Sequence, residues 1–236
     1  AMELTEAMPS LRTAWISFHE KNPKVRIRDA AAELHATEAE IVAACTGDKV
    51  VRLNSDFTGL WNRMPELGYI MSLTRNEDCV HERKGRFENV QVHRGHMGFV
   101  AGPDIDLRMF FSHWGFAFAV YQDAAMGFRT SIQIFDHEGT AVIKIYLLAE
   151  SDHEAFDRVV SDFRAGDQSQ VLKLKPVVQR EIRDQEVDVE AFQQSWSELK
   201  DSHDFFPMLS RYRVSRLQAV RIGGPFSRKV DNGNAE

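Results

Sequence analysis

Residues Lys200 to Leu209 read KDSHDFFPML, a histidine set between aspartates and aromatics. Imidazole is a common metal ligand and titrates near neutrality, so its neighbours decide what it does. Phe192, Trp196, Leu199, His203 and Phe206 follow at intervals of 4, 3, 4 and 3 residues, the spacing of one helical face. An imidazole on that face meets something apolar. Two readings are open: a buried histidine bonded to a backbone carbonyl, or an axial ligand to the metal of a flat apolar cofactor, as a proximal histidine holds haem iron. In the second, Asp201 or Asp204 would take the other ring nitrogen and fix the tautomer.

Arg108 lies in DIDLRMFFSHWGFAFAV. If 105–120 is one strand, Leu107, Met109 and Phe111 share a face, while Arg108, Phe110 and Trp114 share the other. A guanidinium among aromatic rings is either stacked at the surface or lines a pocket. In a pocket it would hydrogen-bond a distal water, a bound oxygen species or a carboxylate. Arg216 follows Ser215, a candidate helix cap, and sits close enough in sequence to His203 to reach a cofactor propionate; the ordinary alternative is an exposed helix arginine. The pairs His93/His96 and His81/Glu82 are weaker metal candidates, because Gly95 turns the first and a strand would point the second to opposite faces. Phosphate-loop, dinucleotide-loop, zinc-protease, nucleophile-elbow and calcium-loop spacings are absent from the sequence, which removes several enzyme classes.

The elements that must position these residues change period along the chain. Residues 8–45 are predicted as three short helices, with Leu11, Trp15 and Phe18 on one face and a capping box from Thr37 to Glu40. From about 68 to 148 the period is 2, with strands expected at 69–75, 79–84, 87–93, 96–101, 105–120, 129–135 and 141–148. Turn residues Asp136 to Gly139 mark the clearest hairpin. A helix follows, with Phe156, Val159, Val160 and Phe163 as its apolar stripe and Gly166 as its stop. The fold class is α+β, an antiparallel β-meander flanked by helices.

Three regions result: a first α+β repeat over 1–167, a charged linker over 168–187, and the helical start of a second repeat over 188–236 that carries His203. The repeat is suggested by ELHATEAEIVAA and RYRVSRLQAVRI, which match in apolar positions and in the caps Thr37 and Ser215. The second copy is expected to be cut short.

Composition narrows the partners. A formal charge of −6 supplies no broad footprint for nucleic acid or anionic lipid, so an anionic ligand must be held by local cations. Cys45 and Cys79 form no C-x-x-C pair, no leader-like N-terminus precedes Leu11, and no apolar run approaches a membrane span. A cytoplasmic protein without membrane insertion is expected. RIRDAAAELHATEAEIVAA has the outline of a helix-turn-helix, yet EAEIVAA carries two acids and no base, which phosphate would repel. A DNA-binding regulator and an inert ligand-binding scaffold are the competing readings.

NPKVRIRDAAAEL, LTRNEDCVHERKGRFENV, DIDLRMFFSHW, SIQIFDHEGTAVIKIY and W-x-x-L-x-D-x-H-D-F-F occur in order along nearly the whole chain. In these segments the sequence resembles the bacterial cytoplasmic haemin-transport and haemin-degrading proteins of the HemS/HmuS type. The resemblance implies a two-repeat haem-utilisation fold of which this chain holds the first half, with haem as cofactor. His203 matches that family's axial iron ligand, Arg108 its distal arginine and Arg216 a propionate partner, with Phe110 as a pocket wall. It implies haem trafficking or oxidative degradation, and as partners a haem-delivering transporter and a downstream haem acceptor or reductant, with no nucleic acid. The family's second half adds further aromatic and cationic contacts that are largely missing here.

Overall fold

The structure, a computed structural model, describes residues 10–75, 80–175, 187–199, 205–212, 214 and 216–226. The chain divides into two compact units, Ala1–Pro176 and Val177–Glu236.

Unit 1 opens with α1 (Leu11–Lys21), α2 (Ile27–Glu33) and α3 (Glu38–Ala44). The Thr37 hydroxyl accepts from the Glu40 amide at 3.2 Å, and the Glu40 carboxylate accepts from the Thr37 amide at 2.8 Å, completing the expected box. Nine strands follow in two antiparallel sheets, among the described residues. The larger sheet has the order β1 (Val50–Leu53), β7 (Trp114–Val120), β8 (Ser131–Asp136), β9 (Ala141–Ser151), β2 (Gly68–Arg75) and β3 (Val80–Arg86). The smaller joins β4 (Gln91–His93), β5 (Met97–Ala101) and β6 (Asp106–Phe110). The single meander of the sequence reading is therefore two sheets.

Alternation sorts the larger sheet's side chains into two cores. On one face Ile132, Ile134, Ile143 and Ile145 pack with α4 (Phe57–Arg63) and α5 (His153–Phe163). On the other, Phe118, Val120 and Phe135 pack with Trp15 of α1 and Ile41 of α3. The stripe Phe156, Val159, Val160 and Phe163 is buried as expected. The helix ends at Phe163, ahead of Gly166, because the chain turns extended at Arg164, which bridges to Leu53.

One stretch the sequence reading left unassigned proves structured, and two expectations are corrected. Residues 50–63 form β1 and α4, two elements too short to show a period in the sequence. The strand expected over 87–93 shrinks to three residues. The strand expected over 105–120 is cut by a 3-10 turn at Phe111–His113, so β6 and β7 join different sheets. That turn resets the alternation. Trp114 does not share the face of Arg108 and Phe110 but is buried, against Phe57 at 5.4 Å, Trp61 at 5.7 Å and Phe111 at 4.6 Å between ring centres.

Cys45 caps α3 and is 1% exposed, and burial pushes its thiol up to about 11. Folding then holds that proton more tightly than the unfolded chain does. Stability from this group is fully present below the ordinary thiol value near 9 and is lost as pH rises from there to about 11. Urea midpoints between pH 8 and 11 should show a drop worth about 2–3 kcal/mol that Cys45→Ala removes. Cys79 lies outside the described residues.

Candidate functional site

β4, β5 and β6 are held face-on to the core by one indole. Trp61 of α4 is 1% exposed and its Nε1 donates to the Phe99 carbonyl at 3.3 Å. Gly98 makes room for it: a Cβ there would lie 2.8 Å from Trp61 Nε1 and 2.6 Å from Phe111 Cζ. Val92, Val100, Leu107 and Met109 point the same way, into the core.

The opposite face is open, and register decides what it presents. Phe99 pairs with Arg108 and Met97 with Phe110 across β5 and β6, while Gln91 pairs with Phe99 and His93 with Met97 across β4 and β5. Directly paired residues project to the same side. The Arg108 guanidinium lies 5.8 Å from the centre of the Phe99 ring, and the His93 ring meets Phe99 edge-on at 4.9 Å. Phe110 is 54% exposed, a large apolar side chain left in water. This arrangement suits a flat apolar ligand that also carries anionic groups: the rings stack, and the guanidinium forks onto an oxygen pair.

Arg108 and Phe110 are thus brought onto one face, as the sequence spacing implied. Phe99 and Met97 were missed, and His93 was singled out only as a weak metal candidate. The signal that could have found them is the turn at Arg94 and Gly95, whose φ values of 52° and 70° shape the three-residue loop from Arg94 to His96 and so fix the register. The histidine pairs do not gather metal ligands: His93 bonds Gln91 at 3.2 Å and His96 bonds the Arg94 carbonyl at 2.8 Å. Among the described residues no group of three or more metal-ligating side chains exists.

In unit 2, α6 (Val189–Ser197) starts at Asp188, whose carboxylate accepts from the Ala191 amide at 3.1 Å. Phe192 is fully buried, with Trp196 at 5.6 Å and Tyr212 at 5.5 Å edge-on. The Tyr212 hydroxyl donates to the Ala191 carbonyl at 3.0 Å and bonds Ser195 at 2.6 Å, tying α7 (Phe205–Tyr212) to α6. α8 (Arg216–Ile222) begins at Arg216.

The single helical face drawn from Phe192 to Phe206 is corrected. α6 ends at Ser197, where the Leu199 amide tightens onto the Trp196 carbonyl at 3.3 Å and the Ser197 hydroxyl takes the Gln194 carbonyl at 2.6 Å. α7 restarts at Phe205, two residues before Pro207, a residue that has no amide proton and is tolerated in the first turn of a helix only. His203, Asp201, Asp204 and Ser215 lie outside the described residues.

The helix-turn-helix alternative fares poorly. Six of the seven residues of α3, the would-be reading helix, are buried in unit 1.

The fold and the open face together define an α+β protein of two-sheet architecture with a cationic, aromatic platform. The sequence model described as the haemin-degrading HemS.ChuX domain matches residues 35–163, and the chain belongs to that family. It is 32% identical to the hemin transport protein HmuS of Yersinia pestis over 95% of its own length and 65% of that protein's. Among solved structures, holo-PhuS, a heme-binding protein from Pseudomonas aeruginosa, matches with a TM-score of 0.77 and 42% identity, over 91% of this chain and 63% of that one. The heme degrading enzyme ChuS of Escherichia coli O157:H7 matches at 0.76 and 31%, over 90% and 61%. The chain thus spans somewhat less than two thirds of the length of these relatives. Among the described residues no helix is long and apolar enough to cross a membrane.

Proposed function

We propose that this protein binds haem and serves bacterial iron acquisition, trafficking haem or degrading it oxidatively. The observation that carries the reading is the platform of the small sheet: Arg108 over Phe99, with Phe110 exposed beside it, in a chain of the HemS.ChuX family. Its donor set fits the group. Aromatic faces accept a planar macrocycle, and a guanidinium that is always protonated offers paired donors to oxygen. By the family resemblance, His203 would hold the iron, Arg216 would pair with a propionate, Phe110 would form a wall and Arg108 would supply the second cation. Haem supplies the iron and its redox chemistry. The chain's own part is to stack, to hold one ring nitrogen deprotonated toward the metal, and to fix a positive charge where anionic groups come to rest. A transporter that delivers haem and an acceptor or reductant that follows are the partners this role requires.

Haemin titration followed by absorbance tests it. The unsubstituted chain should give a saturable Soret band, His203→Ala a shifted or absent one, and Arg108→Ala weaker binding by roughly tenfold or more, the value of one charge-assisted hydrogen-bonding group. Identical spectra for the unsubstituted chain and His203→Ala would remove His203 from the site. Loss of stability alone, with no cofactor signal, would make it a core histidine of a scaffold. A Soret band that decays on adding reductant marks degradation, and one that persists marks a carrier.

A further inference from the structure

A second basic site lies across the larger sheet from the small-sheet platform. We propose that the cleft between α2 and strands β9 and β2 binds a small amphipathic oxyanion, a molecule with one or two phosphate or carboxylate groups on an apolar body.

The cleft is a cavity of about 280 Å³. Arg26, Arg28, Arg75, Arg129 and Lys144 line it, against only two carboxylates, Glu38 and Glu82. These five cations come from four separate parts of the chain, so the cluster is made by folding and is not a charged run. Lys144 is already answered: its Nζ lies 2.8 Å from Glu38, both side chains under 10% exposed, a close contact at an angle outside hydrogen-bond geometry. The four arginines are not. Among the described residues none forms an ion pair, and the Arg75 Nε is buried with no hydrogen-bond partner. A buried donor left unmet keeps its desolvation cost, which an arriving oxyanion would recover.

Arg129 is held in place, its guanidinium 4.9 Å from the centre of the Tyr146 ring. The floor is apolar, formed by Ile27, Met71, Leu73 and Val142. That floor accounts for the apolar body, and the guanidiniums, which pair with phosphate or carboxylate through two parallel hydrogen bonds, account for the head. The volume sits at the lower limit of ordinary ligand pockets, which selects a small ligand. In a chain of formal charge −6, four arginines without an ion pair give this cleft a local positive field; Arg26, Arg28 and Arg129 are exposed to solvent, and the buried Arg75 Nε is the donor that water does not reach.

Calorimetric titration of the full chain at low salt, with phenyl phosphate, phthalate and inorganic phosphate as titrants, tests this. Phenyl phosphate or phthalate should bind one site saturably, and the tighter of the two identifies the head group. Arg28→Gln/Arg75→Gln should weaken that binding at least tenfold, whereas Arg158→Gln, the same charge change on α5 across the sheet, should leave it unchanged. Arg129→Gln serves as a second variant should the first fail to fold. Raising the salt should weaken binding in the unsubstituted chain. No saturable binding by any titrant overturns the site, as does equal weakening by Arg158→Gln. Inorganic phosphate binding as tightly as phenyl phosphate overturns the role of the apolar floor.

Discussion

Trp61→Ala should cost unit 1 about 3–5 kcal/mol of stability, a large part of the 5–15 kcal/mol that a domain usually has. The indole is 1% exposed and meets Phe87 at 5.4 Å, Phe111 at 5.9 Å and Trp114 at 5.7 Å. Removing it deletes the transfer term and opens a cavity in the middle of the aromatic cluster. It also frees the Phe99 carbonyl, which sits on the strand paired with Arg108. Urea unfolding at pH 7 should show the midpoint fall with little change in slope. Haemin binding by the folded fraction should weaken too, since the platform's backing is gone. A loss under 1 kcal/mol would mean that the small sheet is held by something other than this side chain. Gly98→Val should act in the same direction, because the added atoms enter the same space.

Glu38→Leu should be nearly as costly for a different reason. It leaves the Lys144 ammonium buried without its partner, and breaking one side of a buried ion pair costs about 3–5 kcal/mol. Glu38→Leu/Lys144→Met should recover most of that, since two apolar side chains of similar volume carry no desolvation penalty. The comparison of single and double variants by urea unfolding separates the charge effect from packing. If the double variant is no more stable than the single, the pair contributes through shape and not charge.

Much of this molecule could be read from its residues, and the reason differs by element. α1 to α3 were legible because their apolar spacing and the Thr37 cap are local signals, satisfied within a few residues. β8 and β9 were legible because Asp136 to Gly139 can only turn, with Gly139 at φ 91°. β1 escaped because VVRL has four residues, and α4 because FTGLWNR, with its buried Phe57, Leu60 and Trp61, completes only two turns. The break at Phe111–His113 had no glycine or proline to announce it, and so Trp114 was placed on the wrong face. In the candidate site, residue type was enough to pick out Arg108 and Phe110. Their neighbours His93, Met97 and Phe99 depend on pairing between strands, information that no single stretch contains. In unit 2 the helical spacing was followed as one face from Phe192 to Phe206, and the structure ends α6 at Ser197 instead and restarts at Phe205.

The order of the larger sheet has a bearing on how the chain is made. Ile70 of β2 pairs with Leu147 of β9, and Val50 of β1 with Val120 of β7. During synthesis β2 and β3 can close as a local hairpin, but the inner edge of β2 stays bare until the chain has been extended through Ser151. Throughout that interval an apolar strand edge is open to other nascent chains, the condition in which misassembly competes with folding. Non-local pairings of this kind also slow the search for the native sheet. Yield in cells should therefore respond to whatever occupies that edge while β9 is still being made, more than to the final stability of the finished fold.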